Sequence, residues 1–267
     1  MRPNPMKRRL GEGGVSLGTM VFEFRTPGIA RIVAATGAEF AVFDMEHTGW
    51  NDETIAMLMA TARATDVVPL VRVPGKLYHL LSRPLDVGAL GLMVPMVETA
   101  EQARELVDHV KYPPVGARGA AFGMAHDDYV PGDIAHTISA ANSEGLLLTQ
   151  IESVAGLENV DAIAAVDGVD VLWLGQFDLT ASMGIPGRFD DQRFLDAVAA
   201  VVAAAERHGK AAGMMTTTPE QGRWALDQGF RAVAHWGDLW IYATALQRGL
   251  DEIRIHVGER STDPTGQ

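Results

Sequence analysis

Four short stretches of this sequence set acids, a base and a cation directly behind apolar, β-prone runs. Asp44, Glu46 and His47 follow one another in FDMEH, Arg72 closes PLVRV, Gln150 and Glu152 end LLTQIES, and Asp178 follows LWLGQF. Glu152 and Asp178 are carboxylates of the kind that hold hard divalent ions such as Mg²⁺ or Mn²⁺, with waters and substrate oxygens completing the shell. Each also opens a helical stretch, so the competing reading is an acid that stabilises a helix N-terminus. His47 has an ordinary pKa near neutrality and suits a general base; a surface imidazole is the alternative. The other histidines (His79, His109, His126, His136, His208, His235 and His256) lack its position, directly after the second predicted strand and beside two acids. The planar fork of Arg72 can grip a carboxylate or an enolate oxygen, or form an ion pair at the rim of the fold.

The lysines remove one mechanism. A Schiff-base aldolase needs a desolvated lysine facing its site. Lys7 lies near the start, Lys76 in a Pro-Gly loop, Lys111 at a helix end, and Lys210 just ahead of a strand. Cysteine, a G-x-S-x-G elbow and a phosphate-binding Walker loop are absent. Carbonyl chemistry on this chain therefore needs a metal as its electron sink.

The elements that must place these residues alternate in period. Strands are predicted at 15–19, 40–44, 68–72, 91–94, 146–151, 169–174, 211–215 and 231–235, with helical apolar periodicity between them. Thr99 with Gln102 and Thr218 with Gln221 have capping-box spacing, and Gly209 and Gly229 sit where helices should end. Eight βα units in 267 residues point to a single-domain α/β fold, a (β/α)₈ TIM barrel. A doubly wound sheet is the alternative, weakened by the lack of a glycine-rich phosphate fingerprint. In a barrel, residues at strand C-termini converge on one mouth. The barrel is expected over 14–259, with flexible tails at 1–13 and 260–267, and the Pro- and Gly-rich segment 111–133 is expected to form a lid over the mouth.

Thirty-four acids against 22 bases leave a formal charge of −12, which argues against a nucleic-acid partner. No apolar run approaches the ~20 residues of a membrane span, and no secretory signal pattern is visible. With 47% apolar and 21% charged residues and no cysteine, the chain reads as an acidic, globular, cytoplasmic protein.

The motifs LGTM, FDMEH, PLVRVPG, LDVGALGLMVPMVET, KYPPVGARG, QIES and GQFDLTASMGIPG occur in that order between about residues 17 and 250. In them the chain resembles the HpcH/HpaI aldolases, metal-dependent pyruvate-type aldolases of the phosphoenolpyruvate/pyruvate barrel superfamily. The resemblance implies that Glu152 and Asp178 ligate a divalent metal (Mg²⁺, Mn²⁺ or Co²⁺) that chelates a 2-oxo acid. It implies that Arg72 neutralises the enolate, that His47 is the base, directly or through a water, and that Asp86 orients it from a neighbouring subunit. Gln150 corresponds to a polar residue beside the metal. Backbone amides from Gly175 through Gln176 and Phe177 to Asp178 correspond to a cradle for the substrate carboxylate. The expected activity is reversible cleavage of a 4-hydroxy-2-oxo acid into pyruvate or hydroxypyruvate and an aldehyde. The alternatives are oxaloacetate decarboxylation on the same site and a non-catalytic keto-acid-binding protein. Members are typically hexamers, trimers of dimers that exchange the last helix, here 238–257. The chain departs from the usual Gly-Pro-x-Asp at Gln176 and Phe177, and FGMAHDDY lacks the basic residues with which some members grip dicarboxylic substrates.

Overall fold

A computed structural model describes residues 2–261. All eight predicted strands are present: β1 (Ser16–Val21), β2 (Phe40–Asp44), β3 (Val68–Arg72), β4 (Gly91–Val94), β5 (Leu146–Ile151), β6 (Val171–Leu174), β7 (Ala211–Thr216) and β8 (Ala232–Gly237). They pair in parallel and in chain order, and β8 closes onto β1, which settles the choice between barrel and open sheet. Helices connect the strands around the outside, giving one (β/α)₈ domain. Among the described residues no helix is long and apolar enough to cross a membrane.

Strands β2 to β6 are buried on both faces, and the two-residue period divides them. Ala41, Phe43, Val71, Leu92, Leu147 and Leu172 face the helices in one apolar cluster. Phe40, Val42, Val68, Leu70, Leu146, Leu148, Val171 and Trp173 fill the barrel in another. Room for the Trp173 indole comes from its registered neighbour Gly213, where a Cβ would sit 2.6 Å from the ring. Continuing the inward series by two residues gives Asp44 on β2, Arg72 on β3 and Gln150 on β5, with Glu152 two beyond. The barrel is therefore apolar below and charged at its C-terminal rim.

Helix signals hold where side chains can be checked. Thr99 accepts from the Gln102 amide and Thr218 from the Gln221 amide, both at 3.2 Å. Gly209 and Gly229 take the left-handed conformations that end their helices, with φ of 65° and 102°.

Two expectations need correction. The segment taken as a flexible tail, 1–13, contains a helix, Pro5–Gly11, that closes the floor of the barrel. Buried Asn4 caps it, accepting from Lys7 N while its Nδ2 donates to the Leu90 and Glu144 carbonyls. Met6 and Leu10, 1% and 6% exposed, join the interior cluster. We predict that Leu10→Ala destabilises the protein by about 2–4 kcal/mol in urea unfolding, as for other buried leucines; a flexible tail would show no change. At the other end, helix Asp238–Ser261 covers the expected 238–257 and enters the expected tail, whose residues 262–267 lie outside the described residues.

The segment 111–133 does not cover the mouth of its own barrel. Its middle is held against the outer wall, by groups on or just after helices Asp52–Ala62 and Tyr78–Asp86. Arg118 pairs with Asp86 at 2.6 Å, the Gly119 amide donates to Tyr78 Oη, and Arg63 binds the Ala125 carbonyl and Asp128. The Arg63 guanidinium also lies over the Tyr129 ring, 5.5 Å from its centroid. Side-chain anchors from three distant places, invisible in local composition, fix this segment.

Candidate active site

Asp44 and Arg72 are registered partners on adjacent strands, and their inward side chains meet. Arg72 Nε donates to Asp44 Oδ1 at 2.5 Å and lies 3.4 Å from Glu46 Oε2. Asp44 is fully buried, and its carboxylate also accepts from the backbone amides of Glu46 and His47 at 3.2 and 2.9 Å. The turn after β2 is thus folded around Asp44. That turn leaves the His47 ring largely exposed to the mouth, with Nε2 3.8 Å from Glu46 Oε2. Burial pushes the Glu46 carboxyl above its ordinary value, against the opposing pull of Arg72.

Glu152 faces this group from β5. Its Oε1 accepts from the Met96 amide and its Oε2 from Gln150 Nε2, each at 2.6 Å. Burial raises its carboxyl from 4.5 to about 7, with the charges of Glu46 and Asp178 adding to the rise. Asp178 stands in the first turn of helix Gln176–Ser182, after β6, exposed toward the opening. Its charge acts on both Glu46 and Glu152, so the acids predicted on separate strands do share one rim.

Gly175, the residue before that helix, has to be small. A Cβ there would sit 2.4 Å from Glu152 Oε2. Gly175→Ala is therefore expected to displace the Glu152 carboxylate and lower activity by about 10²-fold, the size of effect a misplacement of about 1 Å has on a reacting centre. Steady-state kinetics beside an unchanged circular dichroism spectrum would check it. Gln176 does not point into the site: it is buried, and Nε2 donates to the Met215 carbonyl at 2.8 Å, tying the turn to β7. Phe177 projects outward, half exposed, edge-on to Phe189 at 5.4 Å. The departure from Gly-Pro-x-Asp is thus absorbed sideways, and the amides of the first helical turn remain directed at the mouth.

Asp86 is the predicted site residue that one chain does not bring to the others. It ends helix Tyr78–Asp86, which leads into the N-terminal end of β4, whereas His47 follows the C-terminal end of β2. Within the chain Asp86 pairs with buried Arg118. Conversely, the motif FDMEH places Asp44 and Glu46 at the rim without distinguishing their parts. The inward series Phe40, Val42, Asp44 is the signal that marks Asp44 as the partner of Arg72.

The donor set fits a hard divalent cation. Beside the two carboxylates, Gln150 Oε1 and Glu46 Oε2 are buried oxygens without a hydrogen-bond partner. Among the described residues no three His, Cys, Asp or Glu side chains are grouped to hold an ion. The protein would then supply two carboxylates, leaving most of the shell to water and substrate, as Mg²⁺-like ions favour.

A barrel whose rim gathers acids, a histidine and an arginine has the groups that proton transfer and anion stabilisation beside a carbonyl require. Comparison with known proteins narrows that chemistry. The sequence profile of the HpcH/HpaI aldolase/citrate lyase family matches residues 19–241, and the chain belongs to this family. It is 36% identical to a 4-hydroxy-2-oxovalerate aldolase from Novosphingobium aromaticivorans over 95% of this chain and 96% of that one. It is also 36% identical to a hydroxypyruvate/pyruvate aldolase from Cupriavidus necator, over 92% and 90% of the two chains. The crystal structure of an HpcH/HpaI aldolase from Desulfitobacterium hafniense superposes with a TM-score of 0.89 at 33% identity, covering 93% of this chain and 96% of the other. The protein is accordingly an enzyme of the carbon–carbon lyase class.

Proposed function

We propose that the protein is a divalent-metal-dependent class II aldolase that cleaves a 4-hydroxy-2-oxo acid reversibly into pyruvate or hydroxypyruvate and an aldehyde. The observation that carries this is the meeting of Glu152, Asp178 and Arg72 at one rim of a barrel in this family. Glu152 and Asp178 would hold Mg²⁺, Mn²⁺ or Co²⁺, with Gln150 beside it. When bound, such an ion supplies a Lewis acid that polarises a keto oxygen.

The chain's own groups account for the rest. The amides that open helix Gln176–Ser182 bind the substrate carboxylate. His47 removes the C4 hydroxyl proton; the C3–C4 bond breaks, the aldehyde leaves, and the electron pair passes to the enolate. Arg72, anchored by Asp44, places a fixed positive charge beside that oxygen, the kind of electrostatic term that dominates many such barriers. Protonation at C3 then gives pyruvate. Asp86 would reach His47 only from a neighbouring subunit. An assembly of that kind is supported by the last helix, whose Ile241, Leu246, Leu250, Ile253, Ile255 and Val257 are all exposed. A hexamer built as a trimer of dimers, with this helix exchanged, is the arrangement proposed, in the cytoplasm.

Deuterium exchange at the methyl of pyruvate, followed by NMR with and without Mg²⁺ or Mn²⁺, tests the enolate step without needing the aldehyde. Metal-dependent exchange is expected. Its absence with both pyruvate and hydroxypyruvate would refute the proposal. Oxaloacetate decarboxylation uses the same enolate and is separated by comparing pyruvate release from oxaloacetate with release from a 4-hydroxy-2-oxo acid.

A further inference from the structure

The mouth carries a second feature that the charged cluster leaves unused. A cavity of about 620 Å³ opens beside His47, lined by Phe22, Glu23, Arg25, Trp50 and Trp240 among others. The backbone behind its wall is unusual. Between β1 and β8 the register moves from Gly18↔Ala234 to Met20↔Gly237, an extra residue on β8. Trp236 occupies this bulge at φ 47°, a strained conformation for a bulky side chain. It stacks on Trp240, with ring centroids 6.4 Å apart and planes 13° apart, and Trp240 meets the Phe22 ring edge-on at 5.0 Å. Phe22 in turn lies under the Arg72 guanidinium, 5.5 Å from its ring centroid. The aromatic wall is therefore continuous with the catalytic cluster.

The loop that carries Phe22 is also held. Asp238, at the start of the last helix, accepts from the backbone amides of Phe22, Glu23 and Phe24 at 2.8, 3.0 and 2.7 Å. A carboxylate satisfied by successive amides keeps this wall in place before any ligand arrives.

The size of the cavity falls in the range of sites that enclose whole organic ligands, far beyond a two-carbon aldehyde. Within the chain its charged side chains, Glu23 and Arg25, are of opposite sign, and an Asp86 brought to His47 by a neighbouring subunit adds a negative charge, so the cavity gives no net attraction for an anionic tail. Three of its lining side chains, Phe22, Trp50 and Trp240, present ring faces, and ring-on-ring contact favours an aryl group over a small aliphatic aldehyde. We propose that this cavity is the acceptor subsite and that it takes an aromatic aldehyde, with the carbonyl toward His47 and the ring against Trp50, Phe22 and Trp240. The inference rests on the aldolase reading above. In the addition direction pyruvate loses a methyl proton and its enolate carbon bonds to the aldehyde carbon. The aldehyde oxygen takes a proton from His47, giving a 4-aryl-4-hydroxy-2-oxobutanoate.

The test measures addition of pyruvate to benzaldehyde, acetaldehyde, glyceraldehyde and succinic semialdehyde by the Mn²⁺-loaded wild-type protein. The expected kcat/KM for benzaldehyde is at least tenfold above the others. Trp50→Leu and Trp240→Leu should each raise the KM for benzaldehyde about tenfold and that for acetaldehyde less than twofold. A preference for glyceraldehyde or succinic semialdehyde, or variants that shift all acceptors equally, would overturn the inference. The wild-type ranking decides the matter even if a tryptophan variant does not fold. Proton exchange in pyruvate alone separates the two levels: exchange without an aryl preference sinks only the subsite, whereas no exchange sinks the aldolase reading and the subsite with it.

Discussion

Glu152→Gln is expected to lower metal-dependent turnover by about 10³-fold or more while the barrel stays folded. The substitution keeps the side chain's shape and the acceptor that faces Met96 N, and removes one of the two carboxylates proposed to hold the ion. Loss of a single charge-stabilising contact at a reacting centre already costs about 10²–10³-fold in rate, and loss of a ligand adds weaker ion binding. The elevated carboxyl of Glu152, at about 7, makes the pH dependence specific. Below that value the ion must displace a proton, so wild-type affinity for Mn²⁺ should fall about tenfold per pH unit under pH 7, read by calorimetric titration. Stability of the metal-free protein runs the opposite way. Because the folded-state value lies above the unfolded one of 4.5, the native state holds the extra proton between the two. Stability therefore declines as pH rises through that window, by about 3 kcal/mol in all. Urea unfolding at pH 5 and pH 8 should show this decline in the wild type and much less of it in Glu152→Gln. Normal turnover by a stringently chelated Glu152→Gln protein would remove the assignment of this residue.

Arg72→Ala is the second change with a large expected effect, and it acts on two quantities at once. Activity should fall by about 10²–10³-fold, with kcat and kcat/KM reduced together, because the guanidinium is proposed to act on charge that develops only as the bond breaks. Stability should fall by about 3–5 kcal/mol, because fully buried Asp44 loses its only ion-pair partner among the described residues. Arg72→Lys distinguishes the two roles. It restores a positive charge near Asp44 but not the rigid fork, so much of the stability should return while turnover stays low. A lysine variant as active as the wild type would show that a simple point charge suffices there.

The barrel and the neighbourhood of the site were legible in the sequence because both follow from period. Alternation along the runs ending at Asp44, Arg72 and Gln150 sets which side chains face inward, and ending a strand in a barrel sets which end they reach. The floor helix Pro5–Gly11 was not legible. It spans seven residues dominated by Met-Lys-Arg-Arg, and only contact of Met6 and Leu10 with the barrel interior makes it stable. Segment 111–133 announced itself as irregular through its prolines and glycines, but its place is set by Arg63, Tyr78 and Asp86, remote in the chain. Asp86 shows the same limit from another side, since a motif reports order along the chain and not which end of the barrel a helix terminus reaches. The aromatic wall beside His47 depends on one extra residue in β8 and on a carboxylate two hundred positions from the loop it holds, and neither leaves a local pattern.

That carboxylate, Asp238, has a consequence for how the molecule responds as a machine. It joins the base of the long terminal helix directly to the wall of the mouth. A movement that tilts the helix would therefore pull on the loop that carries Phe22, beside His47. The 24-residue helix is in effect a lever whose short arm ends in that loop.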